Sequence, residues 1–206
     1  MIFDPNHRQN NRSARISMAL FRMSQAIKKM TQLESDTAGF TPVQIQALLF
    51  CLHTRNDAAT VGNFAHAIGT SHVTAVKVIN GLVQKGLIRK AAKPEDRRVT
   101  LLQLTSEGQQ SAAKLEQWGE SLEAVLFTIS DDVLANLELG LGSVISAMQQ
   151  QGHIVVAEPC LGCIHFHPNA REGAEPHYCG LVQKYVSHEA SLKECPEHTP
   201  AIGVQM

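Results

Sequence analysis

The chain has no long apolar segment of the kind that inserts into membranes. Nowhere in its 206 residues does an apolar run approach the roughly 18 residues that a membrane helix requires. The N-terminal stretch MIFDPNHRQNNR also lacks the apolar core of a secretory signal peptide. We therefore expect a cytoplasmic protein with no membrane contact.

Motifs that mark common enzyme classes are also missing. The sequence contains neither a glycine-rich phosphate loop nor the HExxH pattern of zinc peptidases. Nothing in it marks a Ser-His-Asp set. The length leaves room for one compact domain and something smaller. We expect the chain to bind a partner rather than to catalyse a reaction.

Acidic and basic residues are distributed unevenly along the chain. Residues 1–105 hold 14 Lys and Arg against 6 Asp and Glu, a net charge of +8. Residues 106–206 hold 4 against 13, a net charge of −9, and the two halves together give −1. Such a split favours a half that faces nucleic acid and a half that faces away, over charges scattered among helical surfaces.

Residues 68–105 are the stretch around which the rest of the prediction is organised. Gly69 suits the tight turn of a helix-turn-helix, and Ser71 suits the N-cap of a helix over about residues 71–83. Four apolar residues of this helix are spaced to face inward: Val76, Ile79, Leu82 and Val83. The residues at its outer, N-terminal end are predicted to contact DNA: Ser71, His72, Thr74, Ala75 and Lys77.

Two short β-prone runs and a charged turn follow this helix. The runs cover residues 87–91 and 99–104, and the turn covers residues 93–98. A helix followed by a basic ribbon can place the helix in the major groove of double-stranded DNA and the turn at the minor groove. The basic side chains predicted to contact the DNA from the ribbon are Arg89, Lys93, Arg97 and Arg98.

Two motifs here resemble the MarR family of winged helix-turn-helix transcriptional regulators. They are Pro94-Glu95-Asp96-Arg97-Arg98 and Leu104-Thr105-Ser106-Glu107-Gly108. The resemblance covers about residues 8–152 and implies a DNA-binding protein, in a family whose members often respond to small phenolic ligands or oxidants. It also implies that Asp96 pairs with Arg98 to brace the turn while Arg97 reaches the minor groove. The sequence itself leaves open which arginine braces and which one reaches.

Amphipathic helices flank the predicted DNA-binding unit. The apolar spacing predicts a helix from about residue 8 to 33, one from 106 to about 129, and another that begins after residues 130–132. The last two have little of the DNA-binding unit left to pack against, so pairing with a second copy of the chain is the economical explanation. A homodimer also suits a two-fold operator with half-sites about one turn of DNA apart.

Four of the five cysteines lie in the last part of the chain. Cys160 and Cys163 form a Cys-x-x-Cys pair, and fifteen residues separate Cys163 from Cys179 and Cys179 from Cys195. In a reducing compartment this clustering favours a metal site over disulfides. We predict one metal centre per chain, zinc with an iron–sulfur cluster as the alternative. Four histidines could replace or tune a ligand: His165, His167, His177 and His198.

The sequence thus predicts a mainly α fold with a small β wing. Residues 1–152 would form a winged helix-turn-helix and dimerisation domain, with its winged core at about 41–105, and residues 153–206 a loop-rich, metal-stapled tail. The expected function is that of a homodimeric, sequence-specific transcriptional regulator, a repressor by expectation, with a small-molecule effector. The alternative is a metal or iron–sulfur redox sensor whose tail controls DNA binding. Cys51 is interpreted as a core residue rather than a sensor.

Overall fold

The computed structural model describes residues 1–93 and 96–200. Pro94 and Glu95 of the predicted wing turn therefore lie outside the described residues. In chain order the elements are α1 (Pro5–Gln9), α2 (Arg12–Ala38), α3 (Pro42–His53), α4 (Val61–Ala67), α5 (His72–Gln84), β1 (Ile88–Lys93), β2 (Asp96–Leu104), α6 (Ser106–Lys114), α7 (Glu120–Leu126), α8 (Asp131–Gln150), β3 (Phe166–His167), β4 (His177–Cys179), β5 (Lys184–Val186) and α9 (His188–Ser191). None of the helices in the described ranges is long and apolar enough to cross a membrane.

Helix α3 lies at the centre of the hydrophobic core. Its residues Ile45 and Leu48 are fully buried. They belong to one cluster with side chains from α4, α5, the two long strands and α6: Phe64, Ile79, Leu82, Ile88, Leu102 and Ala112. Burying a side chain of the size of leucine or phenylalanine contributes about 1.5–3 kcal/mol. This shared cluster therefore fixes α5 and the ribbon in one orientation.

Side-chain caps set where the core helices begin. Thr41 and Gln44 form a reciprocal capping box at the start of α3, and Pro42 occupies its first turn. Ser71 accepts a hydrogen bond from the main-chain nitrogen of Thr74, 3.2 Å away, and so begins α5. The turn before α5 contains Gly69 in the left-handed conformation, at φ 64°. The predicted helix-turn-helix over these residues is present in the structure.

Strands β1 and β2 pair antiparallel and form the wing. Their register runs from Ile88 opposite Leu104 to Ala92 opposite Thr100, with an irregularity between Ala92 and Lys93. The main-chain nitrogen of Leu102 donates to the carbonyl oxygen of Ala59 at 2.7 Å, which attaches the segment before α4 to the edge of β2. The wing is thus held to the helical core by backbone hydrogen bonds as well as by side-chain packing.

Two of the predicted helices have different bounds in the structure. Instead of one helix over residues 8–33, the chain forms α1 and then α2, which extends to Ala38 and ends at Gly39 with φ 73°. The single helix predicted over 106–129 was wrong, because α6 ends at Lys114 and α7 begins after Gly119, whose φ is 101°. The carboxylate of Glu34 accepts a hydrogen bond from the Gly119 nitrogen at 2.6 Å and so stabilises this break.

Helix α8 covers twenty residues, and none of them is buried. Large apolar side chains are exposed along it, on α2 and near the end of α7: Val133, Leu137, Leu139, Ile145 and Met148 on α8, Ile16, Phe21 and Met23 on α2, and Val125 and Phe127. An amphipathic helix in a folded protein normally buries its apolar face against another element. Within one described chain, α8 does not do so.

The tail is a small unit built around short strands. Strands β3, β4 and β5 pair antiparallel in that order, with Phe166 opposite Cys179 and Tyr178 opposite Tyr185. Two further backbone bridges join Glu158 to Cys195 and Cys163 to Pro200. The sequence indicated loops here, so the three-stranded sheet is an addition to the predicted fold.

Candidate nucleic-acid interface and cysteine cluster

The N-terminal half of α5 presents an exposed polar surface beside the wing. Ser71, His72, Thr74 and Lys77 are all exposed. Val73, which the sequence analysis did not select, is 64% exposed on the same turn. These side chains lie at the N-cap and in the first two turns of α5, and they are exposed whereas Ile79 and Leu82 of the same helix are buried, as is expected of a recognition helix.

Two side chains of α5 lie where they were not predicted. Ala75 was expected to contact DNA, but it is fully buried in the core cluster. It lies four positions before Ile79, so it shares the inward face of the helix. Val83 was expected to face inward and is instead 36% exposed. The outer face continues through Asn80, whose side-chain oxygen accepts from Lys90 Nζ at 2.6 Å.

Asp96 and Arg98 interact at the start of β2. The Asp96 carboxylate accepts from Arg98 Nε at 3.0 Å and from Arg98 Nη2 at 3.1 Å, and it also accepts from the Arg98 main-chain nitrogen. These hydrogen bonds lower the pKa of Asp96 and raise that of Arg98. Arg97 and Arg89 are exposed. Arg98 is therefore the arginine that pairs with Asp96, and its side chain is still 92% exposed.

Lys93 lies at the end of β1 and reaches back toward the core. Its Nζ atom donates to the carbonyl oxygen of Asp57 at 3.2 Å. The predicted wing turn over residues 93–98 includes Pro94 and Glu95, which lie outside the described residues. Lys93 therefore connects the end of β1 to the segment between α3 and α4.

Comparison with known proteins shows what this architecture is similar to. The model of the MarR family matches residues 38–99, from the end of α2 to the start of β2. This part of the chain is therefore similar to the MarR family. Among curated proteins the chain has no match.

Solved structures share the MarR-type winged helix. A DNA complex of MepR from S. aureus is 21% identical, covers 63% of this chain and 96% of its own, and superposes with a TM-score of 0.56. CouR from Rhodococcus jostii RHA1, bound to p-coumaroyl-CoA, is 19% identical, with 66% and 94% covered and a TM-score of 0.56. A MarR-family regulator from Rhodococcus sp. RHA1 is 18% identical, with 66% and 95% covered and the same TM-score. About a third of this chain therefore lies outside each match.

The tail brings its four cysteines together. Cys160, Cys163, Cys179 and Cys195 line one cavity of about 10 Å³, along with Arg55, His165 and His198. All four are free thiols, and only Cys163 is partly exposed. Burial raises the pKa of Cys195 to about 11. In the described ranges, no three or more Cys, His, Asp or Glu side chains are arranged as they stand to hold one metal ion.

His165 and His198 differ from His177 in their surroundings. His165 and His198 line the cysteine cavity, and His198 Nδ1 lies 3.9 Å from a carboxylate oxygen of Glu158. His177 is buried, its Nδ1 accepts from the Asn169 nitrogen at 3.2 Å, and its Nε2 lies 3.3 Å from His188 Nδ1. His177 therefore supports the tail sheet rather than the cavity.

The guanidinium of Arg55 lies between the winged helix and the cysteine cavity. It is 3% exposed and donates through Nε and Nη2 to the two oxygens of Asp57, at 3.0 and 2.7 Å. Its Nη1 atom donates to Cys160 Sγ at 3.4 Å. Burial opposes the guanidinium charge, but the hydrogen bonds and charge of Asp57 outweigh it and raise the pKa of Arg55. The sequence analysis missed Arg55, because nothing local in the sequence distinguishes it from a surface arginine.

Proposed function

We propose that this chain is a homodimeric, sequence-specific transcription regulator that binds double-stranded DNA. The observation that carries the proposal is the exposed N-terminal part of α5 beside a basic wing, in which Asp96 and Arg98 form a hydrogen-bonded pair. Lysine and arginine on such a surface contact phosphates and guanine edges, and serine and threonine hydroxyls bind phosphates or bases. The DNA complex of MepR, which has a similar fold, supports the same mode of binding.

The proposed contacts are divided between the two grooves. Ser71, His72, Thr74 and Lys77 would face the major groove, with Val73 available for apolar contact with a thymine methyl group. Arg97 would enter the minor groove, where narrow A·T tracts attract arginine. Arg89 and Lys93 would contact the phosphate backbone. We propose repression as the mode of action and a binding role without catalysis.

The exposed face of α8 supports the proposed homodimer. A helix with no buried residue and a row of exposed valine, leucine and isoleucine side chains needs a partner to bury them. A second copy would supply α2, α7 and α8 together and would bring two recognition helices to one operator. The interface would also offer a place for a small-molecule effector. CouR, a protein of similar fold, binds p-coumaroyl-CoA.

The test combines DNA selection with a measurement of mass in solution. A duplex selected from a random library by the wild-type chain should bind it with an affinity that falls steeply with salt. Sedimentation should give twice the mass of one chain. A double variant of α8, Leu137→Glu with Ile145→Glu, should sediment as a monomer and bind the selected duplex far more weakly. A monomeric wild-type chain, or one that selects no sequence, would overturn the proposal.

A second proposal concerns the cysteine cluster, which we infer to be a thiolate metal centre with Cys160, Cys163, Cys179 and Cys195 as ligands. The supporting observation is that all four line one cavity, although Cys179 and Cys195 lie far in sequence from the Cys160 and Cys163 pair. Four cysteine thiolates are the ligand set of a closed zinc site, with an iron–sulfur cluster as the alternative. The side chains would have to rotate to form the ligand set.

Metal content and a visible spectrum of anaerobically purified protein test this second proposal. One zinc per chain without colour, lost in the Cys160→Ser variant, is the expected result. Iron with sulfide and a brown absorbance would replace zinc by the alternative cluster and make the tail a candidate redox sensor. Protein free of metal that also takes up no added Zn²⁺ would overturn the metal centre.

A further inference from the structure

Arg55 connects two parts of the molecule that DNA binding alone would not require to touch. It lies in the connection between α3 and α4, 105 residues away in sequence from its acceptor Cys160. Among the described residues, its side-chain hydrogen bonds go to Asp57 and Cys160 and not to the recognition helix or the wing. A buried guanidinium is costly unless it is hydrogen-bonded and compensated by negative charge. Its position therefore calls for an explanation in terms of the groups around it.

Two groups accept hydrogen bonds from the Arg55 guanidinium. Asp57 occupies two of its nitrogens, and Cys160 Sγ accepts from the third. A neutral thiol is a weak acceptor, whereas a thiolate or a metal-bound thiolate makes a charge-assisted hydrogen bond. Four thiols that bind one Zn²⁺ release four protons and leave a site with net charge −2. The contact between Arg55 and Cys160 would strengthen when the cysteine site is filled.

The other side of this contact leads to the wing. The carbonyl oxygen of Asp57 accepts from Lys93 Nζ at 3.2 Å, at the last residue of β1. Two residues later, the carbonyl oxygen of Ala59 accepts from the Leu102 nitrogen in β2. The short segment 55–59 therefore touches both strands of the wing and the cysteine cavity.

Backbone hydrogen bonds attach the tail to the same segment. The Glu194 nitrogen donates to the His53 carbonyl oxygen, and the Arg55 nitrogen donates to the Glu194 carbonyl oxygen, each at 2.9 Å. The next residue, Cys195, is itself bridged to Glu158, two residues before Cys160. These backbone hydrogen bonds hold the segment that carries the Arg55 side chain against the cysteine cavity.

We propose that Arg55 is a positioning residue that couples occupancy of the cysteine site to the wing. With Zn²⁺ bound, the thiolate of Cys160 holds Arg55, and Asp57 and Lys93 hold the wing in the orientation that binds DNA. Without the ion this support weakens, and DNA binding weakens with it. The inference rests on the two proposals above, DNA binding and a thiolate metal site, and adds the route between them.

The experiment uses the full-length chain, reduced and stripped with a chelator, before and after addition of Zn²⁺. For wild type, affinity for the selected duplex should rise about fivefold or more on Zn²⁺ addition, the lower end of typical coupling between sites. In Arg55→Gln this ratio should fall close to one. Arg171→Gln is the matched control. Arg171 is likewise an arginine paired with a carboxylate, that of Glu175, but it is not part of the proposed connection from the cysteine site to the wing. Its ratio should equal that of wild type.

Two further measurements keep the test decisive. If Arg55→Gln does not fold, Lys93→Ala replaces it, since this change leaves the buried pair intact and should also bring the Zn²⁺-dependent ratio toward one. Hydrogen exchange of the amides in β1 and β2 should slow on Zn²⁺ addition in wild type and not in the Arg55 variant. An arginine with only a structural role would lower affinity equally with and without the ion.

The failures are distinguishable. A chain that binds no DNA in either state would fail the proposed function, and one that binds no Zn²⁺ would fail the metal centre, and each would overturn the coupling as well. A Zn²⁺-dependent ratio that is the same in wild type and Arg55→Gln would overturn the coupling alone and leave both earlier proposals standing.

Discussion

Gly108 packs directly against the carbonyl group of Leu87. A Cβ atom at residue 108 would lie 2.9 Å from the Leu87 carbonyl carbon, closer still to its oxygen, and 3.3 Å from Leu104 Cδ2. The same carbonyl oxygen accepts from the Thr105 nitrogen at 3.1 Å, and Thr105 caps α6. The first turn of α6 is therefore seated on the start of the wing, and only glycine fits there.

Gly108→Ala should lower the free energy of unfolding by about 1–3 kcal/mol, because backbone rather than a flexible side chain must move. Urea unfolding monitored by circular dichroism measures this. Gly81→Ala is the matched control, since its Cβ would meet nothing closer than Gln44 Nε2 at 4.0 Å. That helical substitution should stabilise the chain by about 0.5–1 kcal/mol. Equal effects of the two substitutions would contradict the packing described for α6.

The two neighbouring wing arginines should respond differently to removal. Arg97→Ala should weaken DNA binding and reduce the slope of log affinity against log salt by about one, because one cation that displaces a counterion from the minor groove is lost. Arg98→Ala should also weaken binding, but by releasing Asp96 and loosening the wing rather than by removing a contact. Fluorescence anisotropy at several salt concentrations separates the two effects. An unchanged slope in Arg97→Ala would remove Arg97 from the interface.

Thiol reactivity should separate Cys51 from the tail cysteines. Burial raises the pKa of Cys51 to about 12, so its thiol is protonated at pH 8 and protected by the core. Iodoacetamide followed by mass spectrometry should label Cys163, the partly exposed cysteine, first and Cys51 last. Added Zn²⁺ should slow labelling of the four tail cysteines and leave Cys51 unaffected. Rapid labelling of Cys51 would argue against its assignment to the core.

The pair of Arg55 and Asp57 should make stability depend on pH in the acid range. Burial disfavours the Asp57 carboxylate, yet the hydrogen bonds and charge of Arg55 lower its pKa below the ordinary value of an aspartate. A carboxyl whose folded pKa is lowered stabilises the fold above its unfolded pKa, and this contribution is lost as pH falls through the folded value. Asp57→Asn should therefore cost about 2 kcal/mol at pH 7.

The cost of Asp57→Asn should begin to shrink below about pH 4, where the Asp57 carboxyl of the unfolded chain takes up a proton, and should be lost once the pH has fallen through the lower pKa of the folded chain. Urea unfolding at pH 7 and at pH 3 measures both values. Asp36→Asn serves as the control, because Asp36 lies on the exposed surface of α2. A cost for Asp57→Asn that does not vary with pH would mean that its charge is not what stabilises this region.

Local signals predicted the winged helix well. Thr41 with Pro42, and Ser71 after Gly69, mark helix starts through side-chain caps, and the structure places α3 and α5 where these residues indicate. Asp96 and Arg98 belong to the run that carried the family resemblance, and they pair at the start of β2. These features depend on neighbours in sequence, which is why the sequence was sufficient for them.

The parts that failed depend on distant contacts. The break between α6 and α7 follows from Glu34, which lies 85 residues before Gly119 and accepts its main-chain hydrogen bond. Ala75 is the exception, because its spacing from Ile79 already placed it on the buried face of α5, and the sequence analysis assigned it wrongly. Arg55 gains its role from Cys160. Long-range pairings of this kind leave no periodic pattern for sequence analysis to read.

The backbone bridge between Thr54 and Glu194 has a consequence for biosynthesis. A chain leaves the ribosome from its N-terminus, at about 5–20 residues per second, and domains begin to fold as they emerge. All of α3 to β2 is made before Cys160, and Glu194 follows more than thirty residues later still. Until then Arg55 has Asp57 but no sulfur, and the His53 carbonyl group remains exposed to water. The winged helix is therefore translated early, and its contacts with the tail form last.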